Sequence, residues 1–320
     1  MDPLSDVLHS VRLTGGVFLS AHFTAPWCIT VAIKPDDCAR YLPVKPVQMI
    51  AYHVVTEGRL LVALENEWMT EVSAGEIVLF PQNDPHKLAN ERGIAPVSAR
   101  NLILRSSDGS LSRIDHGGGG TVTRIFCGFL ASEENHNPLI STLPKVLKID
   151  IRHVASREWI EASVRFAAGE LAEGRLASSN IMTRLSELLL TEAVRQYSST
   201  LANDECGWLN GLKDPHVGRA LALMHHKLGE HWSVETLASE VALSRSAFVE
   251  RFTSLVGMSP IRYLTVWRLR AARLNLRETT KTIAQLAHSV GYQSEEAFSR
   301  AFKREFGVSP ARWREQSMQL

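Results

Sequence analysis

Apolar positions change their period partway along the chain. Between about Ala25 and Ala131 they come in short or alternating runs, "QMIAYHVV", "RLLVALE", "EIVLFP", "ARNLILR" and "VTRIFCGFLA", separated by Gly, Pro and Asn. Evenly spaced runs of this kind predict strands of a closed or sandwiched β-fold. From about Ser156 to Thr200 the period becomes helical, with one stripe at Ile160, Val164, Ala167 and Leu171. A second stripe, at Ile181, Leu185, Leu188, Leu189 and Ala193, is widened by Met182 and Leu190. "SSTLANDECGWLNG", Ser198 to Gly211, has the composition of a linker. Asp214-Pro215 then supplies a helix cap and a first-turn proline. The expected fold class is α+β multidomain: a β-domain over 1–150, a helical segment and linker over 151–212, and an all-α domain over 213–320.

The last hundred residues repeat themselves. Leu237-Ala238 and Val241 recur as Leu286-Ala287 and Val290 at a spacing of 49. Ser244, Ala247-Phe248, Phe252, Gly257, Ser259-Pro260 and Arg262 recur 50 residues later, so the second copy carries one extra residue in its turn. In each copy Ser233 or Thr282 caps a short helix, and Ser244 or Ser294 caps a second one whose Phe pair faces inward. Gly257 or Gly307 ends that helix, and Ser-Pro starts the next. Two short helices joined by a tight turn, the second with a polar outer face, make a helix-turn-helix. "IRYLTVWRLRAARLNLRET" reads as one long helix that fixes the spacing of the two copies.

Charge adds a partner to this pattern. Net charge is +1 over 320 residues, but Lys213–Leu320 holds 16 basic against 10 acidic residues, while the remainder holds 19 against 24. A basic third on an acidic body points to a polyanion. The segment from about Asp214 to Arg314 resembles the AraC/XylS-type transcription regulators, most specifically in "GYQSEEAFSRAFKREFGVSPARWR". That resemblance implies a seven-helix domain with two recognition helices on double-stranded DNA. By helix face, Ser246, Val249 and Glu250 would meet base edges in the first reader, and Glu296, Ser299 and Arg300 in the second. Arg300 is the strongest candidate, because a guanidinium can grip guanine O6 and N7 with two bonds. Arg245, Arg251, Lys303 and Arg304 would meet phosphates, which position the protein without specifying sequence. Relatives commonly carry a basic or amide residue where this chain has Glu250, an acid that could accept from cytosine N4.

Chemistry in the β-domain turns on "GEIVLFPQNDPHKLAN". Gly75, Pro81, Asn83, His86 and Asn90 fall on the spacing of the second cupin motif, with Asn in place of the turn Gly. Asn tolerates positive φ. The first cupin motif would end at Gly58, which puts its Glu at Ala51 and its two His near Val44 to Val47. None of these binds a metal, and open-site metal chemistry needs at least three protein ligands. His53, on the strand before Gly58, and Cys127, on a later strand, leave two readings open. Together with His86 they either hold zinc or form a buried thiol with two hydrogen-bonded histidines. The Gly117–Gly120 run reads as a flexible loop at the barrel mouth, and no phosphate loop is expected there.

The cupin-like domains of such regulators commonly sense small molecules. The expectation is therefore a ligand-responsive transcription regulator, homodimeric through the second helical stripe, which binds a small-molecule or metal effector and contacts RNA polymerase. The rival is a cupin-fold metalloenzyme with an accessory DNA-binding domain. A third reading gives the β-domain a purely structural role. The four cysteines are scattered, the N-terminus is acidic, and no run approaches a membrane span, so a reduced cytoplasmic setting with no membrane partner is expected. If the His53, His86 and Cys127 set holds zinc, protein purified without chelator carries it stoichiometrically and loses it with Cys127→Ala.

Overall fold

A computed structural model of the chain describes residues 14–38, 46–65, 67–104, 112–132, 143–151, 178–201 and 207–318, with Leu4, Ile140, Ala162 and Phe166. The stripe at Ile160 to Leu171 lies outside these residues, as do Val44 and Cys206. Contacts divide the chain into two compact units, one of them Val11–Thr200 and the other built on Leu201–Leu320.

The first unit is two facing sheets. One has six strands in the order β11 (Leu147–Asp150), β6 (Glu76–Phe80), β3 (Gln48–Glu57), β10 (Val122–Ser132), β1 (Thr14–Thr24) and β9 (Ser112–Gly117). The other has five: β5 (Glu67–Ser73), β4 (Arg59–Leu64), β7 (His86–Ala89), β2 (Cys28–Val31) and β8 (Val97–Ser98). Alternation sets what lies between them. Ala51 and Val55 on β3, Ile125 and Cys127 on β10, and Val62 and Leu64 on β4 share one buried cluster with Leu88 of β7. Burying side chains of this kind is worth about 1.5–3 kcal/mol each. Helix α2 (Ser178–Thr200) packs on this unit, burying Leu189, Leu190, Ala193 and Val194, and Gln196 Nε2 donates to the Asp150 carbonyl at 3.2 Å. Part of the second stripe thus closes the chain's own core.

Four local expectations differ from the structure. "ARNLILR" is not a strand: Ala99–Leu102 forms a single helical turn, α1, and only Leu104 pairs in β fashion, with Arg113. An apolar run this short carries no decisive period, and Ala99 is buried as well by one turn of helix as by a strand. The Gly117–Gly120 run is pinned. Gly118 N and Gly120 N donate to the Thr24 and Ala25 carbonyls at 2.9 and 2.8 Å, and a Cβ on Gly118 would sit 2.4 Å from Pro26 Cδ. These glycines allow close backbone approach rather than motion. The supposed linker also contains α3 (Trp208–Lys213), with Trp208, Leu209, Asn210 and Gly211 buried. Tertiary packing overrode a composition rich in Gly, Asn and Ser. β structure also begins earlier than Ala25, with β1.

The second unit continues with α4 (Pro215–His226), α5 (Val234–Glu240), α6 (Arg245–Val256), α7 (Pro260–Glu278), α8 (Ile283–Ser289), α9 (Glu295–Phe306) and α10 (Pro310–Met318). The duplication is realised atom by atom. Ser233 and Thr282 form capping boxes with Thr236 and Gln285, while Ser244 and Ser294 cap α6 and α9 through the Ala247 and Ala297 amides. Phe248 and Phe252 pack 5.6 Å apart, and so do Phe298 and Phe302. Both reader helices end in a left-handed glycine, Gly257 or Gly307.

The copies differ inside the turn. Its left-handed position is Gly291 in the second copy, with φ 83°, but Ala242 in the first, with φ 55°. An L side chain there costs about 1–2 kcal/mol, partly offset by a stiffer unfolded chain. Ala242→Gly is therefore expected to stabilise the second unit by about 1 kcal/mol in denaturant unfolding. Gly291→Ala should destabilise it by more, because its Cβ would also meet the Arg268 guanidinium at 2.6 Å and the Gly229 carbonyl at 2.9 Å.

Candidate functional site

The β-domain site is built by three strands. His53 on β3 and Cys127 on β10 are direct cross-strand partners in the six-stranded sheet, with the inward parity of Ala51 and Ile125. His86 opens β7 in the facing sheet, at the end of a turn that Asn83 makes with φ 55°. Asn83 Nδ2 donates to the Ile33 carbonyl at 2.8 Å, and Asn90 Oδ1 accepts from Trp27 N at 2.6 Å. Asn thus takes the left-handed role of the missing turn Gly, and the motif's final Asn ties down a neighbouring strand. His86 lies flat on Phe80, with ring centroids 3.6 Å apart.

These residues form a chain of hydrogen bonds across the two sheets. His86 Nδ1 lies 2.9 Å from the Asp84 carbonyl, His53 Nε2 lies 2.8 Å from His86 Nε2, and His53 Nδ1 lies 3.0 Å from Cys127 Sγ. The carbonyl can only accept, which fixes every proton in turn. His86 donates from Nδ1 and accepts at Nε2, His53 donates from Nε2 and accepts at Nδ1, and the Cys127 thiol donates. Every member is neutral and satisfied. Burial holds His53 well below the usual imidazole range, with His86 adding to the shift, and lowers His86 to about 4. Burial also pushes the Cys127 thiol up. The two nitrogens of His53 face opposite partners, so the three side chains do not converge on one point. Among the described residues no group of three or more His, Cys, Asp or Glu forms a metal site. Ala51, where the cupin carboxylate would fall, is a fully buried part of the core.

Beside this chain lies a cavity of about 410 Å3. Leu19, Ala21, Phe23, Ile29, Ile114 and Phe129 supply its apolar wall. His53 and Cys127 line its buried side, while the exposed Lys34, Asp37 and Arg100 line its outer side. Arg100 Nη2 donates to both Asp37 oxygens, at 2.7 and 2.5 Å. No motif signalled this cavity; its residues come from six separate stretches of chain.

In the helical unit the expected readers lie on exposed faces. Ser246 and Glu250 of α6 and Glu296 and Arg300 of α9 are exposed, and Val249 and Ser299 are half-buried beside them. The two copies differ in how their cations are used. Arg245 Nε donates to Glu235 at 2.7 Å, and Arg251 pairs with Asp214 at 2.5 Å. Burial works to raise the Asp214 carboxyl, but Arg251 and the α4 amides outweigh it and hold the carboxyl low. Arg300, Lys303 and Arg304 of α9 form no ion pair among the described residues. Sequence reasoning gave all five cations to DNA and missed the internal partners of Arg245 and Arg251, since Asp214 lies 37 residues from Arg251.

Comparison with known proteins gives the following. A family model described as Cupin matches residues 2–199, and one described as Helix-turn-helix domain matches residues 237–316. The chain is 30% identical over 317 residues to a putative AraC-like transcription regulator of Streptomyces lividans, covering 98% of each. It is 30% identical over 326 residues to the HTH-type transcriptional regulator AlkR of Acinetobacter baylyi, covering 99% of this chain and all of that one. Among solved structures, the DNA-binding domain of AdpA in complex with a target DNA is 33% identical over 32% of this chain and 92% of its own, with a TM-score of 0.31.

The hydrogen-bond chain makes stability depend on pH. Both histidines have folded pKa values below the unfolded value of 6.5, so the unfolded state binds more protons in acid. Their contribution is complete above about pH 6.5 and is lost as pH falls toward 4, at up to about 1.4 kcal/mol per pH unit for each histidine. Acid titration of β-domain unfolding is expected to show this slope, reduced in His86→Phe. Cys127→Ala, which leaves His53 Nδ1 unpaired, should cost about 1–3 kcal/mol, and Cys127→Ser, which restores a donor, clearly less.

Proposed function

The chain belongs to the AraC-like transcription regulators, and on that premise we propose that its β-domain is the sensor of a small-molecule effector and that α6 and α9 read the operator. It is a DNA-binding transcriptional regulator, and its partner is double-stranded DNA. The observation that carries the reader assignment is the exposed face of α9, where three cations form no ion pair among the described residues, on a helix capped and packed like its duplicate. A helix of this kind enters the major groove with its outer face toward base edges. In α9, Arg300 reads guanine, Glu296 and Ser299 flank it, and Lys303 and Arg304 hold phosphates. In α6, Ser246, Val249 and Glu250 face the groove. There Arg245 and Arg251 are committed to Glu235 and Asp214, so they contribute to phosphate binding only by giving up those pairs.

The cavity beside His53 and Cys127 is what supports an effector. Its occupant would act by binding one arrangement of the regulator more tightly than another, which shifts the population between them. Homodimerisation through α2 and contact with RNA polymerase belong to the same proposal and rest on the family pattern. The domains are taken as a sensor over 1–150, a helical segment over 151–212 and a reader over 213–320. No catalytic step is part of this reading, and the metalloenzyme alternative has no carboxylate at Ala51 to build on. Among the described residues no helix is long and apolar enough to cross a membrane.

Arg300→Ala is expected to cost about 1–3 kcal/mol of operator affinity and to relax preference at one base pair in a selection from random sequence. An unchanged preference would remove Arg300 from base readout. The logarithm of affinity should fall steeply with the logarithm of salt, and Lys303→Ala or Arg304→Ala should each flatten that slope by about one unit. Arg245→Ala should leave the slope unchanged.

A further inference from the structure

We propose that the β-domain cavity takes an apolar molecule bearing a single anionic head group, tail inward and head at Lys34. This rests on the effector reading above and adds the chemical class and orientation of the ligand.

His53 and Cys127, on the buried side of the cavity, have no donor left for a ligand. His53 Nε2–H is committed to His86, and the Cys127 thiol is committed to His53 Nδ1, an assignment forced by the Asp84 carbonyl at the far end of the chain. Ser112 in the same wall already has a partner. A carboxylate or phosphate placed there would lose its hydration with no compensating bond, a cost of several kcal/mol. The inner part of the occupant is therefore apolar, matching Phe23, Ile114 and Phe129. At roughly 30 Å3 for a group the size of water, the volume of about 410 Å3 holds on the order of a dozen such groups.

The outer side is charged, and its charges do not cancel. Arg100 is matched by Asp37, whose carboxylate also accepts from the Lys34 backbone amide at 2.9 Å. The Lys34 ammonium has no ion pair among the described residues. Among the described residues that line the cavity, one cation is therefore left over at its mouth. It attracts a single negative charge and repels a second cation. It is exposed, so a charged head group there keeps most of its hydration.

Thermal unfolding of the full chain with three ten-carbon probes tests this, each below its micelle-forming concentration: decanoate, decanol and decyltrimethylammonium. Decanoate should raise the midpoint of β-domain unfolding by mass action, decanol less, and the cation not at all. Lys34→Glu should weaken decanoate roughly tenfold, as a charge reversal at a direct contact implies, and admit the cation. Lys34→Ala should give an intermediate result. Lys34 is exposed, so both variants are expected to keep the unliganded midpoint. Equal shifts from decanoate and decanol that ignore Lys34→Glu would overturn the anionic head and leave the effector cavity standing. A preference for the cation in the natural chain would overturn it equally. No shift from any probe would remove the effector reading itself.

Discussion

Two imidazoles buried between β-sheets must have both nitrogens of each ring satisfied, and that requirement organises the first unit. A carbonyl at Asp84 orders the protons from His86 through His53 to Cys127. It ties β7 of one sheet to β3 and β10 of the other, so the hydrogen bonds cross the gap that the apolar core otherwise fills. The same ordering makes the cluster neutral and turns its donors away from the cavity. The apolar character of the cavity's inner side follows from that proton assignment, while ring orientation puts Cys127 on the opposite nitrogen of His53 from His86.

In the second unit the governing constraint is the helix terminus. Each short reader helix leaves amides unsatisfied at its start and carbonyls at its end. Ser244, Ser294, Gly257 and Gly307 answer these needs identically in the two copies. With the backbone fixed in that way, the outer faces were free to diverge. Around α6 the cations became struts to Glu235 and Asp214, while Arg300, Lys303 and Arg304 of α9 form no ion pair among the described residues. A shared scaffold thus presents two chemically different surfaces.

Much of this was legible because it rests on local rules. Caps, the Phe pairs at i and i+4, Ser-Pro starts and left-handed glycines leave their mark within a few residues. The turn Asn83 and its φ of 55° followed from one motif position. The errors arose where long-range packing decided. Gly117 to Gly120 look mobile in sequence, yet they are held against Thr24 to Pro26, more than ninety residues earlier. Trp208 sits in a linker-like composition, but its Nε1 donates to the Tyr263 hydroxyl at 3.1 Å and its helix is buried. "ARNLILR" has too few apolar positions to choose between periods.

The sequence by itself determined the two kinds of domain, the duplication and the helix-turn-helix units, because periodicity and capping are properties of neighbouring residues. It also brought His53, His86 and Cys127 forward as a set. Only the tertiary structure decided how that set is used. Whether three side chains converge on a point or pass protons along a line depends on ring orientation and strand register, and neither is written in spacing. The same holds for the cavity, gathered from separate stretches of chain, and for Arg251, whose partner Asp214 comes near only when α6 packs beside the start of α4.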